Sequence, residues 1–329
     1  MDDRKGLYQF RENIIQFYKK QEYLIIPVFR FAVALSVLFF LRAHLGSHGP
    51  ENAALGSTLL NVILALVCTI LPTSACAGIL ALVMIWDLYS LSLVATAVCA
   101  VLILLCILIY FRFAPEDVII MLLMPAACTL NLQYAVPILA GLLFGPGAAV
   151  PVVFGLLFTK FVLLVEESLP GLSAAGAGAM PAGEMLIANF RSLIDGMMHD
   201  RPMIILAAAL ALAVIIVCFL RHLMIEHAWT AAIAAGCVAE LAVLLIGDMR
   251  FDTNIDLTKV LFGIAAAFVL GQIVRFFVFN VDYLRIESVQ FEDEDYYYYV
   301  RAVPKTMVPV PVSDPEQFSR PEEGRAERE

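Results

Sequence analysis

Long apolar runs, parted by short polar punctuation, recur from residue 23 to residue 280. A helix needs roughly 20 mostly apolar residues to cross a bilayer. A soluble domain has no interior large enough to bury so many such runs. Hydrophobic residues make up 61% of the 329 and charged residues only 16%, where soluble chains carry about 25% charged. The pattern predicts an all-α fold: a polytopic integral membrane protein with eight to ten transmembrane helices in the cell membrane. Spans are expected at 23–41, 57–71, 75–91, 92–111, 117–131, 149–165, 203–220, 227–246 and 258–280.

One stretch does not parse into simple spans. Residues 122–151 are apolar but interrupted by Pro125, Pro137, Gly141, Gly145, Pro146, Gly147 and Pro151. Residues 135–145 are too short to cross alone, so they form a short tilted span or a re-entrant half-helix. Irregular backbone is not tolerated against lipid. The broken region must therefore be enclosed by other helices or line a wet cavity.

Ionisable residues inside spans are costly, and so they are informative. Arg30, Lys160, Glu240 and Arg275 fall inside predicted spans. Glu240 extends a face of small residues, with Ala232 and Gly236 at intervals of four. Small faces let helices approach closely, which points the carboxyl into the bundle. Lys160 is expected at a matching depth. The pair reads as a proton or substrate site, or as a buried ion pair that fixes packing. A third reading is a carboxyl kept neutral by burial. Arg30 and Arg275 read as side chains snorkelling to the headgroups, and Asp87, beside Trp86, as an interfacial residue.

The chain divides into a lead at 1–22, a membrane domain at 23–280 and an acidic tail at 281–329. In the lead, Leu7, Phe10, Ile14 and Phe17 share a helical face amid Arg4, Lys5, Arg11, Lys19 and Lys20. That is the pattern of an amphipathic helix on the cytoplasmic membrane surface, or of one packed under the bundle. Basic residues concentrate on cytoplasmic flanks, so the N-terminus is expected inside, and an even number of passes returns the tail there. The outer loop 166–202 holds a Gly/Ala-rich stretch, 171–183. After it, Leu186, Phe190, Leu193 and Met197 recur at helical spacing, which predicts a short interfacial helix. In the tail, 283–291 and 296–303 are strand candidates around the acidic run Glu292–Asp295, so a β-hairpin over 283–303 is expected. A disordered end follows.

Several function classes lack support. The net charge is -9 and no basic stripe exists, so nucleic acid is not an expected partner. The seven cysteines lie in apolar runs without a CxxC pair and read as small core residues. The five histidines form no ligand pattern, so no metal or other cofactor is expected. No P-loop, GxSxG elbow or HExxH is present, and the chain is not expected to be an enzyme.

The segment Ala140-Gly141-Leu142-Leu143-Phe144-Gly145-Pro146-Gly147-Ala148-Ala149 resembles a helix-turn pattern in the substrate-binding S-components of energy-coupling-factor transporters. The basic lead and tyrosine-rich acidic tail are similar in layout to polytopic membrane proteins of clostridial type, a resemblance that implies no activity. Two function readings follow. One is a transporter or permease component, since broken helices near the midplane often build substrate sites. The other is a non-transporting scaffold that recruits a cytosolic or membrane protein partner through its two termini, with the lipid bilayer as its constant contact.

Overall fold

The computed structural model describes residues 2–46, 58–113, 117–174, 182–223, 227–253, 256–278, 287–292 and 297–302. The fold is all-α, with eleven helices in chain order among the described residues: α1 (Asp2–His44), α2 (Thr58–Ile70), α3 (Thr73–Leu91), α4 (Leu93–Phe113), α5 (Val118–Thr129), α6 (Ala135–Leu143), α7 (Ala149–Ala174), α8 (Ala182–His199), α9 (Arg201–Arg221), α10 (Ala228–Phe251) and α11 (Leu257–Val278). A single 3-10 turn, Pro146–Ala148, joins α6 to α7. Seven of these helices (α1, α3, α4, α7, α9, α10 and α11) are long and apolar enough to cross a membrane.

The chain forms two compact units. One takes Met1–Gln21 and Phe277–Glu329, the other Glu22–Phe276. Gln21, at the division, leaves helical geometry (φ -113°, ψ 16°) inside α1. In the first unit the Arg11 guanidinium donates to the Phe277 carbonyl at 3.2 Å. There β1 (Glu287–Glu292) also pairs antiparallel with β2 (Tyr297–Ala302), with Glu287 opposite Ala302 and Glu292 opposite Tyr297. Residues 293–296, which hold most of the acidic run, and 303–329, expected to be disordered, lie outside the described residues. So do 175–181 of the Gly/Ala-rich loop.

The second unit holds the membrane bundle, and its side chains pack into two apolar cores. One gathers α1, α3, α4 and α8 around Leu38, Leu88 and Phe161. The other gathers α6, α9, α10 and α11 around Ile138, Leu210, Ile233 and Leu244. Residues of α5 and α7 belong to both cores, so these two helices are the wall between them. Leu193 of α8 is buried in the first core, and a Cβ on Gly196 would stand 3.3 Å from Leu164 of α7.

Short helices inside a bilayer leave carbonyls without donors at their ends. Arginines from neighbouring helices meet two of them. The Arg30 guanidinium of α1 donates to the Leu71 carbonyl just past α2, at 3.2 Å. The Arg221 guanidinium, from the end of α9, donates to the Leu142 carbonyl in the last turn of α6. Positive charge at a helix C-terminus also complements the helix dipole. Arg30 is thus tied to a helix end, where the sequence suggested snorkelling. Arg42 donates to Thr58 at the other end of α2, so α1 and α2 run antiparallel. Asp87, expected at the interface, is 2% exposed within α3.

The α5–α7 contact depends on one glycine. Pro125 has no N–H, so the Met121 carbonyl four residues earlier lacks its helical donor. Gly155 brings α7 up against that carbonyl: a Cβ there would lie 2.8 Å from it and 2.6 Å from the Met124 Cβ. Gly155→Ala should destabilise the protein by about 1–3 kcal/mol through overpacking. Gly78, in α3, faces open space, and Gly78→Ala should instead add about 0.5–1 kcal/mol by removing backbone freedom. Thermal unfolding of both variants in one detergent checks the contrast.

Candidate functional site

The broken region folds into a helical hairpin that enters the bundle and turns back. Its first arm, α5, runs parallel to α7: Met121 and Met124 face Gly155, and Cys128 lies against Thr159. Ten residues of α7 separate Ala149 from Thr159, which is about 15 Å of rise. That is half of a hydrocarbon core of about 30 Å. The second arm, α6, begins beside this level, and five residues separate its end from the start of α7. The chain therefore returns to the side from which it entered. Run 117–131, expected to span, and run 135–145, expected as a short tilted span or a re-entrant half-helix, are the two arms of one helical hairpin. Hydropathy registers that both are apolar but not that they share one half of the membrane.

The turn is built to satisfy its own backbone. Asn131 adopts the left-handed conformation with φ 56°. The Leu132 N–H donates to the Ala127 carbonyl at 2.8 Å and the Asn131 N–H to the Cys128 carbonyl at 3.2 Å. This is a Schellman closure, in which a residue with positive φ lets the last carbonyls of a helix find donors. Asparagine tolerates that conformation better than other side chains do. The Ala135 N–H then donates to the Leu132 carbonyl at 3.0 Å, starting α6. Pro137 and Pro151 sit in first turns, where no helical donor is needed, and Pro146 opens the 3-10 turn after Gly145. Replacing Asn131 by Gly should leave stability unchanged. A β-branched Asn131→Val should cost roughly 1–2 kcal/mol, read as a lowered unfolding midpoint.

Glu240 occupies the middle of α10 and is 0% exposed. Its surroundings follow from helix register. Tyr134 packs on Gly263 of α11, where a Cβ would stand 2.5 Å from the ring. Ile138 and Ile233 both face Gly271. The Cys237 thiol points at the Ile264 carbonyl, 3.9 Å away. Gly236, one turn before Glu240, lets α10 close on Val217 of α9. Glu240 is thus enclosed by α9 and α11 at the level of the hairpin tip, within electrostatic reach of Tyr134 and Cys237. Among the described residues neither carboxyl oxygen has a hydrogen-bond partner, and the Gln133 Oε1 at the tip has none either. The Thr230 Oγ1 on α10 and the Gln272 Nε2 on α11 are further buried atoms without one. The pairing of Ile233 with Gly271 puts those two residues at one level of the α10–α11 seam.

Lys160 and Glu240 form no ion pair, although both lie at the depth of the tip. The reason is the hairpin itself. Lys160 lies on α7 near Cys128 of α5, while Glu240 lies on α10 near Tyr134 at the start of α6. Sequence spacing predicts equal depth but carries no information on what stands between. Of the broken-region residues, Pro125, Pro137, Gly145, Pro146 and Pro151 shape the hairpin and its exit. Asn131, Gln133 and Tyr134, which form the tip, escape a reading of the sequence because a polar pair after an apolar run looks like an aqueous loop. Because the two charges are separated, Glu240→Gln and Lys160→Met should change stability additively, within about 0.5 kcal/mol, in a double-mutant cycle on thermal unfolding.

On the α5 side of the hairpin lies a cavity of about 310 Å³ between α1, α3, α4, α5 and α7. Leu41, Met84, Ile107, Met121 and Phe158 give it apolar walls. Thr159 also lines it, but its hydroxyl donates to the Gly155 carbonyl of its own helix at 2.7 Å. Elsewhere, the His44 Nδ1 and Glu166 Oε2 lie 2.7 Å apart, joining the end of α1 to α7. Arg275 donates to the Gln272 Oε1 at 3.0 Å. Six of the seven cysteines are buried and all are free thiols. Among the described residues no cluster of His, Cys, Asp and Glu is placed to hold a metal ion. No protein-family model matches the chain, and no curated protein or solved structure matches it.

Proposed function

We propose that this polytopic membrane protein is a transporter or permease component whose substrate passes the tip of the α5–α6 hairpin. The observation that carries the reading is that tip: an interrupted helix pair that reverses beside Thr159 of α7 and Glu240 of α10. Beside it are buried polar atoms of Gln133 and Glu240 that no described residue satisfies. Broken helices with free polar groups near the midplane are the usual construction of a carrier site. A purely structural bundle would gain by replacing them with apolar residues. The apolar cavity on the other face of α5 suits a substrate with a hydrocarbon portion, such as an amphipathic molecule. This reading puts the termini on the cytoplasmic side. The lead carries five basic residues, and eight crossings (the seven long helices and α2) return the chain to the side of its N-terminus.

A thiol probe tests the reading without knowledge of the substrate. In membrane vesicles bearing Gln133→Cys, a membrane-impermeant maleimide should modify residue 133 from at least one face, read by mass spectrometry at that position. Transport by this route requires such access. Complete protection from both faces, in a variant that folds normally, removes the route and leaves a scaffold that works through its termini.

A further inference from the structure

We propose that Glu240 is a proton-binding site that couples the α5–α6 hairpin to proton movement, with the described conformation as its proton-loaded, closed state. The inference rests on the transport reading and names the ion that drives it. A carboxylate in hydrocarbon needs a countercharge, hydrogen-bond donors or water. Glu240 is 0% exposed, and among the described residues neither oxygen has a partner. Lys160, the one cation expected for it, stands on the far side of the hairpin. The group is therefore held here as the uncharged acid. Losing the proton demands hydration, and hydration demands that a packed neighbour move.

The neighbours differ in how readily they yield. Opposite Glu240, α9 presents only apolar residues over 205–217, and α11 only apolar residues and Gly263 over 260–267. The titratable groups in reach are Tyr134 across the α6 boundary and Cys237 on its own helix; among the described residues no charged side chain faces it. Helices α9 and α10 are packed against each other along their length, whereas α11 meets the bundle at a few close approaches, among them Gly263 and Gly271. The hairpin tip is a short turn held by the Asn131 closure; its Gln133 side chain meets the Tyr134 side chain, and the Gln133 Oε1 has no partner among the described residues. Displacement of the tip, which carries Tyr134 beside the carboxyl, brings water to it. The buried Thr230 Oγ1 and Gln272 Nε2 supply polar stations along the α10–α11 seam from the end where Arg275 lies.

The step balances as one proton. The closed state holds the carboxylic acid. On opening, its O–H bond breaks to hydrated water, which takes the proton and leaves a solvated carboxylate. Reprotonation from water on the other face restores the acid and closes the tip. Ionisation favours the open state, so opening increases as pH rises, by up to about tenfold per pH unit for one linked proton.

The test compares Gln133→Cys alone with Gln133→Cys combined with Glu240→Gln, which mimics the protonated acid. Rates of maleimide modification at residue 133 are measured from mildly acidic to mildly alkaline pH in vesicles. Thiol reactivity itself rises with pH, but equally in both backgrounds, so the ratio of the two rates isolates Glu240. The ratio should climb with pH. A ratio that stays flat while residue 133 is modified overturns the proton role and leaves the hairpin route standing. Protection at every pH in both backgrounds overturns the route as well. An infrared spectrum of the protein without the cysteine gives a second reading. A protonated-carboxyl band lost in Glu240→Gln supports the proposal, and an unchanged band overturns it.

Discussion

A peptide group placed in hydrocarbon must find its hydrogen bonds within the protein, and the rest of this structure is arranged around that requirement. Regular helices meet it at no further cost. The α5–α6 hairpin does not, because it ends two helices and reverses the chain at mid-depth. Its closure is local: Asn131 in the left-handed region turns the Ala127 and Cys128 carbonyls back onto their own turn. Its exit is closed from outside by the Arg221 guanidinium on the Leu142 carbonyl. The carbonyl orphaned by Pro125 is covered by close approach of α7 at Gly155. Each interruption has a specific answer, and each answer comes from a different element. This is why α5 and α7 sit in both apolar cores.

Side chains at the tip are treated differently from the backbone. The peptide groups around Asn131 are paired, yet the Gln133 Oε1 and both Glu240 oxygens are left without partners among the described residues. In lipid an unsatisfied polar atom costs free energy, and the bundle offers no packing gain in return. Such a cost is tolerated where a second state recovers it by contact with water, an ion or a substrate. The contrast between a closed backbone and open side chains is what the proposed transport route is built on. The apolar cavity lies on the opposite face of α5, so displacement of the hairpin would be felt at both places at once.

Much of this was legible in the residues. Apolar runs give the membrane class, and the prolines and glycines of 122–151 mark the interrupted region. Charge inside a span singles out Glu240 and Lys160. The expectation that the two lie at matching depth comes from the same source, since each sits a countable number of residues from a polar flank. Less legible were Asn131, Gln133 and Tyr134. A turn in water and a turn in the centre of a membrane use the same residue types, because both need a positive φ and local hydrogen bonds.

The sequence by itself determined which runs are apolar enough for lipid, where helices are interrupted, and that Glu240 lies in the interior, because hydropathy, proline and glycine act through local chemistry. Only the tertiary structure decided that two apolar runs return to one face, that Arg30 and Arg221 serve the ends of other helices, and that Lys160 and Glu240 are kept apart. Those outcomes depend on which helix lies beside which. In a bilayer every span is equally apolar, so adjacency is set by shape and by the few close approaches at Gly155, Gly236 and Gly263, not by the hydrophobic pattern.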